Sequence, residues 1–338
     1  MRETSERPAG KSLGATLARS TAFLTIAGLA VYFFWPAERG QAPFEDMILA
    51  VATTFPLMLI AVLLIGWRLA VLAGGDVRIR DGMAVNAIAQ LVALLVPSRL
   101  SELAKPVGLN LIRQVPLSRG LAILVIERIL DAVFLAGLVL AAVAVLSGPY
   151  RQSMQSSGLV LAGLAAVGVL SVGAVLIRPA LLTSLADRLP TRWARNQVDH
   201  VTEAVTRLTD PWATMVAFGL SAVYWLAAYL IFLVFFHVLD IAELSPAEVL
   251  VVFVASTLGL IISVTPGGLG TFEGAIAVAL MSFGIPLGTA VAMALLLRLC
   301  LVIPVIAIAS WFLISGDLSL SRILTRLRDW RGRNDRGE

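Results

Sequence analysis

The sequence predicts an all-α, polytopic membrane protein built as an inverted repeat, with six full membrane spans and two broken or re-entrant hairpins. Three observations predict it: the composition, the spacing of the apolar segments, and two proline-centred motifs that interrupt such segments half a chain apart. Hydrophobic residues make up 59% of the 338 residues and charged residues 14%, and the mean hydropathy is +0.90. A soluble core cannot bury that much apolar surface, so most of it must face lipid or other spans.

Composition also argues against several classes of protein. The formal net charge is +4, but the basic residues cluster at the ends of apolar segments, which is typical of membrane orientation rather than of nucleic-acid binding. The single cysteine, Cys300, excludes an intrachain disulfide. Two histidines far apart give no recognisable metal site, and the chain has no nucleotide-binding motif. We therefore expect no metal, cofactor or nucleic-acid partner.

The apolar segments give the predicted elements in order. A membrane helix needs about 20 apolar residues, and six segments satisfy this requirement. They are residues 17–36, 47–67, 119–147, 157–177, 213–237 and 288–314. Two more segments, 83–113 and 248–283, are apolar but interrupted by the proline motifs. Their limbs are short, which indicates a re-entrant hairpin or a pair of short spans in each.

The basic residues predict the orientation of these elements. Arginine and lysine concentrate in the N-terminal segment, the 68–82 loop, the 178–212 loop and the C-terminal tail, whereas 37–46, 148–156 and 238–247 carry one arginine or none. The basic segments, and with them both termini, are therefore predicted to be cytoplasmic. Counting crossings gives three net crossings in each half, about 15–147 and 157–315, so the second half is inverted within a single integral membrane domain spanning 1–338.

The longest hydrophilic connection, 178–212, alternates apolar and charged residues. This pattern predicts an amphipathic helix on the cytoplasmic membrane surface. A solvated connector without lipid contact is an equally open interpretation.

The two motifs carry the candidate site residues. The first, LVPSRLSELAK, contains Pro97, Arg99, Glu102 and Lys105, and the second, VTPGGLGTFEG, contains Pro266, Gly267, Gly268, Gly270 and Glu273. Proline ends the preceding helix, and glycine permits unusual backbone angles and close approach. Unwound backbone at membrane depth occurs only where protein or a water-filled cavity covers it. We expect both motifs to line an interior cavity; a tight turn at the membrane surface is the alternative.

Charged residues inside the spans add to the candidate site. Glu127, Arg128 and Asp131 lie in the third predicted span, and Arg298 lies in the last one. Each ion at a helix centre costs about 2.5–3.5 kcal/mol, which favours interior, paired placement. One arrangement has Glu127 and Asp131 fixing Arg128 while Arg298 stays free for an anion. The alternative is a set of salt bridges that only holds helices together.

Two further groups of side chains have contacts that the sequence predicts. Glu102 and Lys105 stand three residues apart, which would let them pair on one helix face. The aromatic residues Tyr224, Trp225 and Tyr229 fall within an apolar span, where packing is the expected role.

The motifs together resemble a known family. The ERILD run at 127–131, the P-x-R-x-x-E segment at 97–102 and the TPGGLGTFEGA run at 265–275 are similar to the membrane region of lysylphosphatidylglycerol synthases, also called the flippase-like domain. The resemblance covers about residues 15–315. The chain departs from it at Ser101, where related chains often have glycine.

The resemblance implies a function. In the two-domain synthases a soluble domain transfers lysine from a charged transfer RNA, and the membrane region moves the product lipid. This chain is too short for the soluble domain as well, so the resemblance implies a translocator rather than an aminoacyl transferase. It would move a phospholipid or a lipid-linked anionic headgroup across the bacterial inner membrane, with a lipid-synthesis enzyme as an expected partner.

Specific roles follow from this expectation. Arg128 and Arg298 would meet the headgroup charge, and Glu102 and Glu273 would position or release it. The alternative is a membrane enzyme or accessory subunit that acts on polyprenyl-linked or phospholipid substrates, and a third interpretation is a scaffold for lipid-synthesis enzymes.

Overall fold

The computed structural model describes residues 43–75, 77–96, 101–145, 211–240, 243–263, 265–315, 322–323 and 325. Its eight helices in these ranges are α1 (Pro43–Ala73), α2 (Ile79–Leu95), α3 (Ala104–Arg113), α4 (Leu117–Val145), α5 (Pro211–Leu239), α6 (Pro246–Ile261), α7 (Thr271–Ser282) and α8 (Leu287–Ile314), with a 3-10 turn at Pro266–Gly268. The predicted spans 17–36 and 157–177, nearly all of the 178–212 connector, and Pro97 and Arg99 lie outside the described residues.

Three helices in the described part are long and apolar enough to cross a membrane. They are Glu45–Ala73, Trp212–Leu239 and Leu287–Ile314, which agree with the predicted spans 47–67, 213–237 and 288–314. Helix α4 is also 29 residues long but carries four charged side chains. Many large apolar side chains point outward, among them Ile60, Leu226 and Trp311, as lipid-facing surfaces require. The described part of the chain is therefore an α-helical membrane protein.

Both predicted interruptions are real breaks between short helices. Segment 83–113 contains α2, of 17 residues, and α3, of 10 residues. Segment 248–283 contains α6, of 16 residues, and α7, of 12 residues. The first break begins at Val96, whose φ of −122° and ψ of 142° are extended, as sterics favour for a residue that precedes proline.

Glycine is required at the second break for two reasons. Gly267, Gly268 and Gly270 have φ values of 62°, 73° and 85°, in the left-handed region that residues with a Cβ rarely adopt. A Cβ on Gly268 would also lie 2.5 Å from Leu260 Cδ2. The sequence-based expectation of unusual backbone angles and close approach at this motif is confirmed.

The order of long and short helices repeats along the chain. A long helix, two short helices and a second long helix form α1–α4, and the same order recurs in α5–α8. The packing is reciprocal: α4 contacts α6, α8 contacts α2, and the two leading helices, α1 and α5, pack against each other. The short-helix hairpin of each set therefore lies against the last long helix of the other. This arrangement leaves space between the two sets.

Candidate functional site

A cavity of about 480 Å³ lies between the two sets of helices. Its walls come from all eight described helices together with residues of both helix breaks. Six residues proposed from the sequence line it: Glu102, Lys105, Arg128, Gly267, Gly268 and Arg298. The structure thus brings residues that are far apart in the sequence around one interior space, and each motif contributes two of its described candidate residues to the lining.

A buried arginine that the sequence analysis missed holds the acidic residues of α4. Arg68 is 2% exposed, and its Nη1 donates to Asp131 Oδ1 at 2.7 Å and to Ser221 Oγ at 3.0 Å. Its Nη2 lies 3.4 Å from Glu127 Oε1. These contacts join α1, α4 and α5. The assignment of Arg68 to a cytoplasmic loop is wrong, because α1 continues to Ala73.

Glu127 is shared between two cations. Its side chain is fully buried, and its second oxygen accepts a hydrogen bond from Lys105 Nζ at 2.8 Å. The predicted pairing of Lys105 with Glu102 is therefore wrong. Glu102 lies in the turn that precedes α3 and is exposed, so the two residues do not share a helix face, and Lys105 instead points at α4.

Arg128 is more exposed than the sequence predicted. Its side chain is 51% exposed, and its Nη2 lies 3.4 Å from Asp131 Oδ2. The expectation that Glu127 and Asp131 together fix a buried Arg128 is wrong, because Glu127 is engaged by Arg68 and Lys105. Among the described residues of this cluster, three cations meet two carboxylates, which leaves one positive charge in excess. Since Arg68 and Lys105 are tightly held, the excess is available at Arg128, which faces the cavity.

Arg298, in contrast, is buried and fully engaged in hydrogen bonds. It is 5% exposed, and its Nε donates to Glu273 Oε1 at 2.7 Å. Its other nitrogens donate to the carbonyls of Gly267, at 2.8 Å, and Gly268, at 3.2 Å, and the guanidinium lies 4.1 Å from the centroid of the Phe272 ring. The break in the helix leaves these carbonyls without a helical N–H donor, and the N–H groups of the planar guanidinium donate to them instead. The expectation that Arg298 stays free for an anion is wrong.

Glu273 has two partners that fix the start of α7. Besides Arg298, it accepts a hydrogen bond from the backbone N–H of Gly270 at 2.8 Å through Oε2. A carboxylate at this position satisfies an N–H that has no helical acceptor and interacts favourably with the helix dipole. Pro266, Gly270 and Glu273 thus shape the turn without lining the cavity, whereas Gly267 and Gly268 form part of the cavity wall.

Fold and site together define a polytopic α-helical membrane protein with a charged interior cavity. A family model described as "Lysylphosphatidylglycerol synthase TM region" matches residues 20–309, and the chain belongs to this family. Membership links the protein to membrane lipid metabolism or translocation. Searches of curated proteins and of solved structures gave no match. Within the described residues, no group of three acidic, histidine or cysteine side chains is placed to hold a metal ion.

Proposed function

We propose that the protein is a flippase-like lipid translocator that moves a phospholipid or a lipid-linked anionic headgroup across the bacterial inner membrane. The observation that carries this proposal is the half-exposed Arg128 in the cavity between the two helix sets. A cation with an excess of charge, inside a mostly apolar protein, favours an anionic group that comes from the membrane. Family membership supports a lipid as the source of that group.

The proposed architecture is an inverted repeat in one membrane domain with both termini in the cytoplasm. The repeated helix order and the reciprocal packing of α4 on α6 and α8 on α2 support two related halves. Without Arg68, the connection after α1 still has Arg78, and Arg80 lies in the first turn of α2, so the positive-inside rule still favours the cytoplasm for this connection. Two inverted halves around one site would open alternately to the two sides of the membrane.

Each described residue of the site has a distinct part in this proposal. Arg128 takes the headgroup phosphate, because charge-assisted hydrogen bonds from arginine to phosphate are strong. Arg68 and Lys105 hold the carboxylates that would otherwise neutralise it. Arg298 and Glu273 keep the second break in shape, and Glu102, exposed at the cavity, positions or releases the headgroup. Arg99 stays a proposed cavity residue from the sequence alone.

Reconstitution into liposomes tests the proposal. Fluorescent phospholipids would be placed in the inner leaflet, and a membrane-impermeant reductant would be added outside. The rate at which the phospholipids reach the outer leaflet and react would be compared with the rate in protein-free liposomes. Arg128→Gln should slow translocation by roughly tenfold or more, the loss expected for one hydrogen bond to a charged group. Arg113→Gln is the matched control, because Arg113 pairs with Asp81 at 2.6 Å, away from the cavity lining.

The same liposomes separate the alternative function. If recovered lipid is chemically changed while no lipid moves between leaflets, the protein is a membrane enzyme and the translocator proposal fails. Unchanged lipid that moves faster than in protein-free liposomes supports translocation.

A further inference from the structure

Two polar side chains in the cavity wall have buried atoms without a hydrogen-bond partner in the described part of the protein. They are Nδ2 of Asn86 and Nε1 of Trp225. Asn86, on α2, is 1% exposed and Trp225, on α5, is 9% exposed, and both line the cavity. One residue comes from each helix set. Buried polar groups in proteins nearly always have partners, so two orphans at one cavity point to a missing ligand.

The indole of Trp225 is held in place by its neighbours. Its ring makes edge-to-face contacts with Tyr224, at a centroid distance of 5.8 Å, and with Phe253, at 6.0 Å. Such pairs are favourable arrangements of aromatic rings. The expectation that Trp225 serves in packing is thus correct for its ring, but packing leaves its N–H unexplained.

The chemistry of the unpartnered groups narrows the class of ligand. Indole N–H and guanidinium groups only donate hydrogen bonds, and the amide of Asn86 can donate as well. A ligand that meets Trp225, Asn86 and Arg128 must therefore offer several acceptor oxygens and a negative charge. A phosphate ester has both properties. The cavity, at about 480 Å³, is within the range of about 300–1,000 Å³ that is typical of small-molecule sites.

We propose that Asn86 and Trp225 bind phosphate-ester oxygens and, with Arg128, form a headgroup site whose donors come from both helix sets. This inference rests on the proposed function, and it adds two residues that set specificity for phosphate over other polar headgroups. A ligand held by α2 and α5 at once bridges the two sets. Binding of the ligand is therefore expected to stabilise the packing of the two helix sets against each other.

Thermal unfolding of the full chain in detergent tests the site. The probes are phosphatidylglycerol, diacylglycerol with the same acyl chains, and soluble glycerol phosphate. A ligand that binds only the folded protein raises Tm, so phosphatidylglycerol should raise it and diacylglycerol should not. Trp225→Phe and Asn86→Leu should each weaken the apparent affinity for phosphatidylglycerol by roughly tenfold, as the loss of a hydrogen bond to a charged group predicts.

The lipid-free variants give a readout that a purely structural role would not produce. Asn86→Leu removes an unpaired buried amide, so without lipid it should be at least as stable as the wild type. The matched control is Asn110→Leu, because Asn110 Nδ2 donates to the Val115 carbonyl at 3.0 Å. That control should lower Tm and leave the response to phosphatidylglycerol intact. Trp311→Phe, at a position that is 69% exposed on α8, should change neither.

The outcomes separate this inference from the proposed function. If both variants respond to phosphatidylglycerol as the wild type does while Arg128→Gln loses the response, the two residues are not ligands and the translocator proposal stands. An equal response to diacylglycerol overturns the phosphate assignment. If glycerol phosphate raises Tm as strongly as phosphatidylglycerol does, the site is supported and it recognises the phosphate ester alone. If phosphatidylglycerol raises Tm and glycerol phosphate does not, the site is supported and its ligand is a membrane lipid. Failure of translocation in liposomes would defeat the proposed function whatever the binding result.

Discussion

Arg68 Nη1 lies 2.7 Å from Asp131 Oδ1, and this contact determines which arginine near the cavity is available to a ligand. With Glu127 also engaged by Arg68 and Lys105, the acidic side chains of α4 are largely neutralised from other helices. Arg128, although next to Glu127 in the sequence, is left half-exposed at the cavity. A buried arginine and a half-exposed arginine thus share the carboxylate of Asp131.

Removing Arg68 should destabilise the protein far more than removing Arg128. Arg68→Ala removes the nearer partner of Asp131 and one of the two partners of the fully buried Glu127, and we expect a loss of about 3–5 kcal/mol in the free energy of unfolding. Arg128→Ala removes a half-exposed ion pair, for which about 0–1 kcal/mol is expected. Denaturant or thermal unfolding in detergent measures both. Equal losses for the two variants would contradict the division of roles.

The clamp between Arg298 and Glu273 should show strong energetic coupling. Arg298→Met and Glu273→Gln, alone and combined, form a double-mutant cycle, and residues in one salt-bridge network typically couple by about 0.5–3 kcal/mol. Arg298→Lys should not restore stability, because one ammonium cannot reproduce the planar fork that meets Glu273 and two carbonyls. Additive effects in the cycle, within about 0.3 kcal/mol, would show that the observed contact does not stabilise the second break.

Gly268 should be intolerant of any side chain. Its φ of 73° is strained for other residues, and a Cβ would meet Leu260 Cδ2 at 2.5 Å, so Gly268→Ala should lose roughly 1–3 kcal/mol of stability. Leu260→Ala on the same chain should relieve the clash but not the backbone strain. Gly274→Ala is the control, since nothing lies within 4 Å of its Cβ position in α7; it should be neutral or stabilising. Comparable losses at both glycines would contradict this difference.

The connection after α1 and the connection before α6 should be accessible from opposite sides of the membrane. On a Cys300→Ala background, which removes the buried free cysteine, Gly75→Cys after α1 should react only with cytoplasmic reagent. Glu243→Cys, in the exposed connection before α6, should react only from the other side. Labelling of both positions from the same side would exclude the proposed orientation of the two halves.

The helix breaks can be predicted from the sequence, but the distant partners of the charged side chains cannot, for a physical reason. Proline and glycine act on the backbone within a residue or two, so Pro266 and Gly267 report their own local structure. Salt-bridge partners depend on tertiary packing: Arg68 and Asp131 are 63 residues apart, and no local pattern links them. The five apolar residues that follow Arg68, up to Ala73, were nevertheless a signal that it lies inside a helix.

The spacing of two other pairs contained usable information. Lys105 and Glu127 are 22 residues apart and lie at similar distances from the connection between α3 and α4. Glu273 and Arg298 are 25 residues apart and flank the connection between α7 and α8 in the same way. Helices that are joined by a short connection and pack against each other bring such residues to the same level. Reading charges as pairs across a turn, rather than along one helix, would have predicted both contacts.

The translocation rate of a charge series at Arg128 tests most directly whether this residue carries the headgroup. Wild type, Arg128→Lys, Arg128→Gln and Arg128→Glu would be reconstituted at equal density after each has been shown to fold, and inner-leaflet phosphatidylglycerol would be followed as it reaches the outer leaflet. Rates should fall in that order, because lysine keeps the charge but loses the bidentate geometry, glutamine loses the charge, and glutamate repels the phosphate. Arg128→Glu that moves phosphatidylglycerol at the wild-type rate would contradict the proposed role of Arg128.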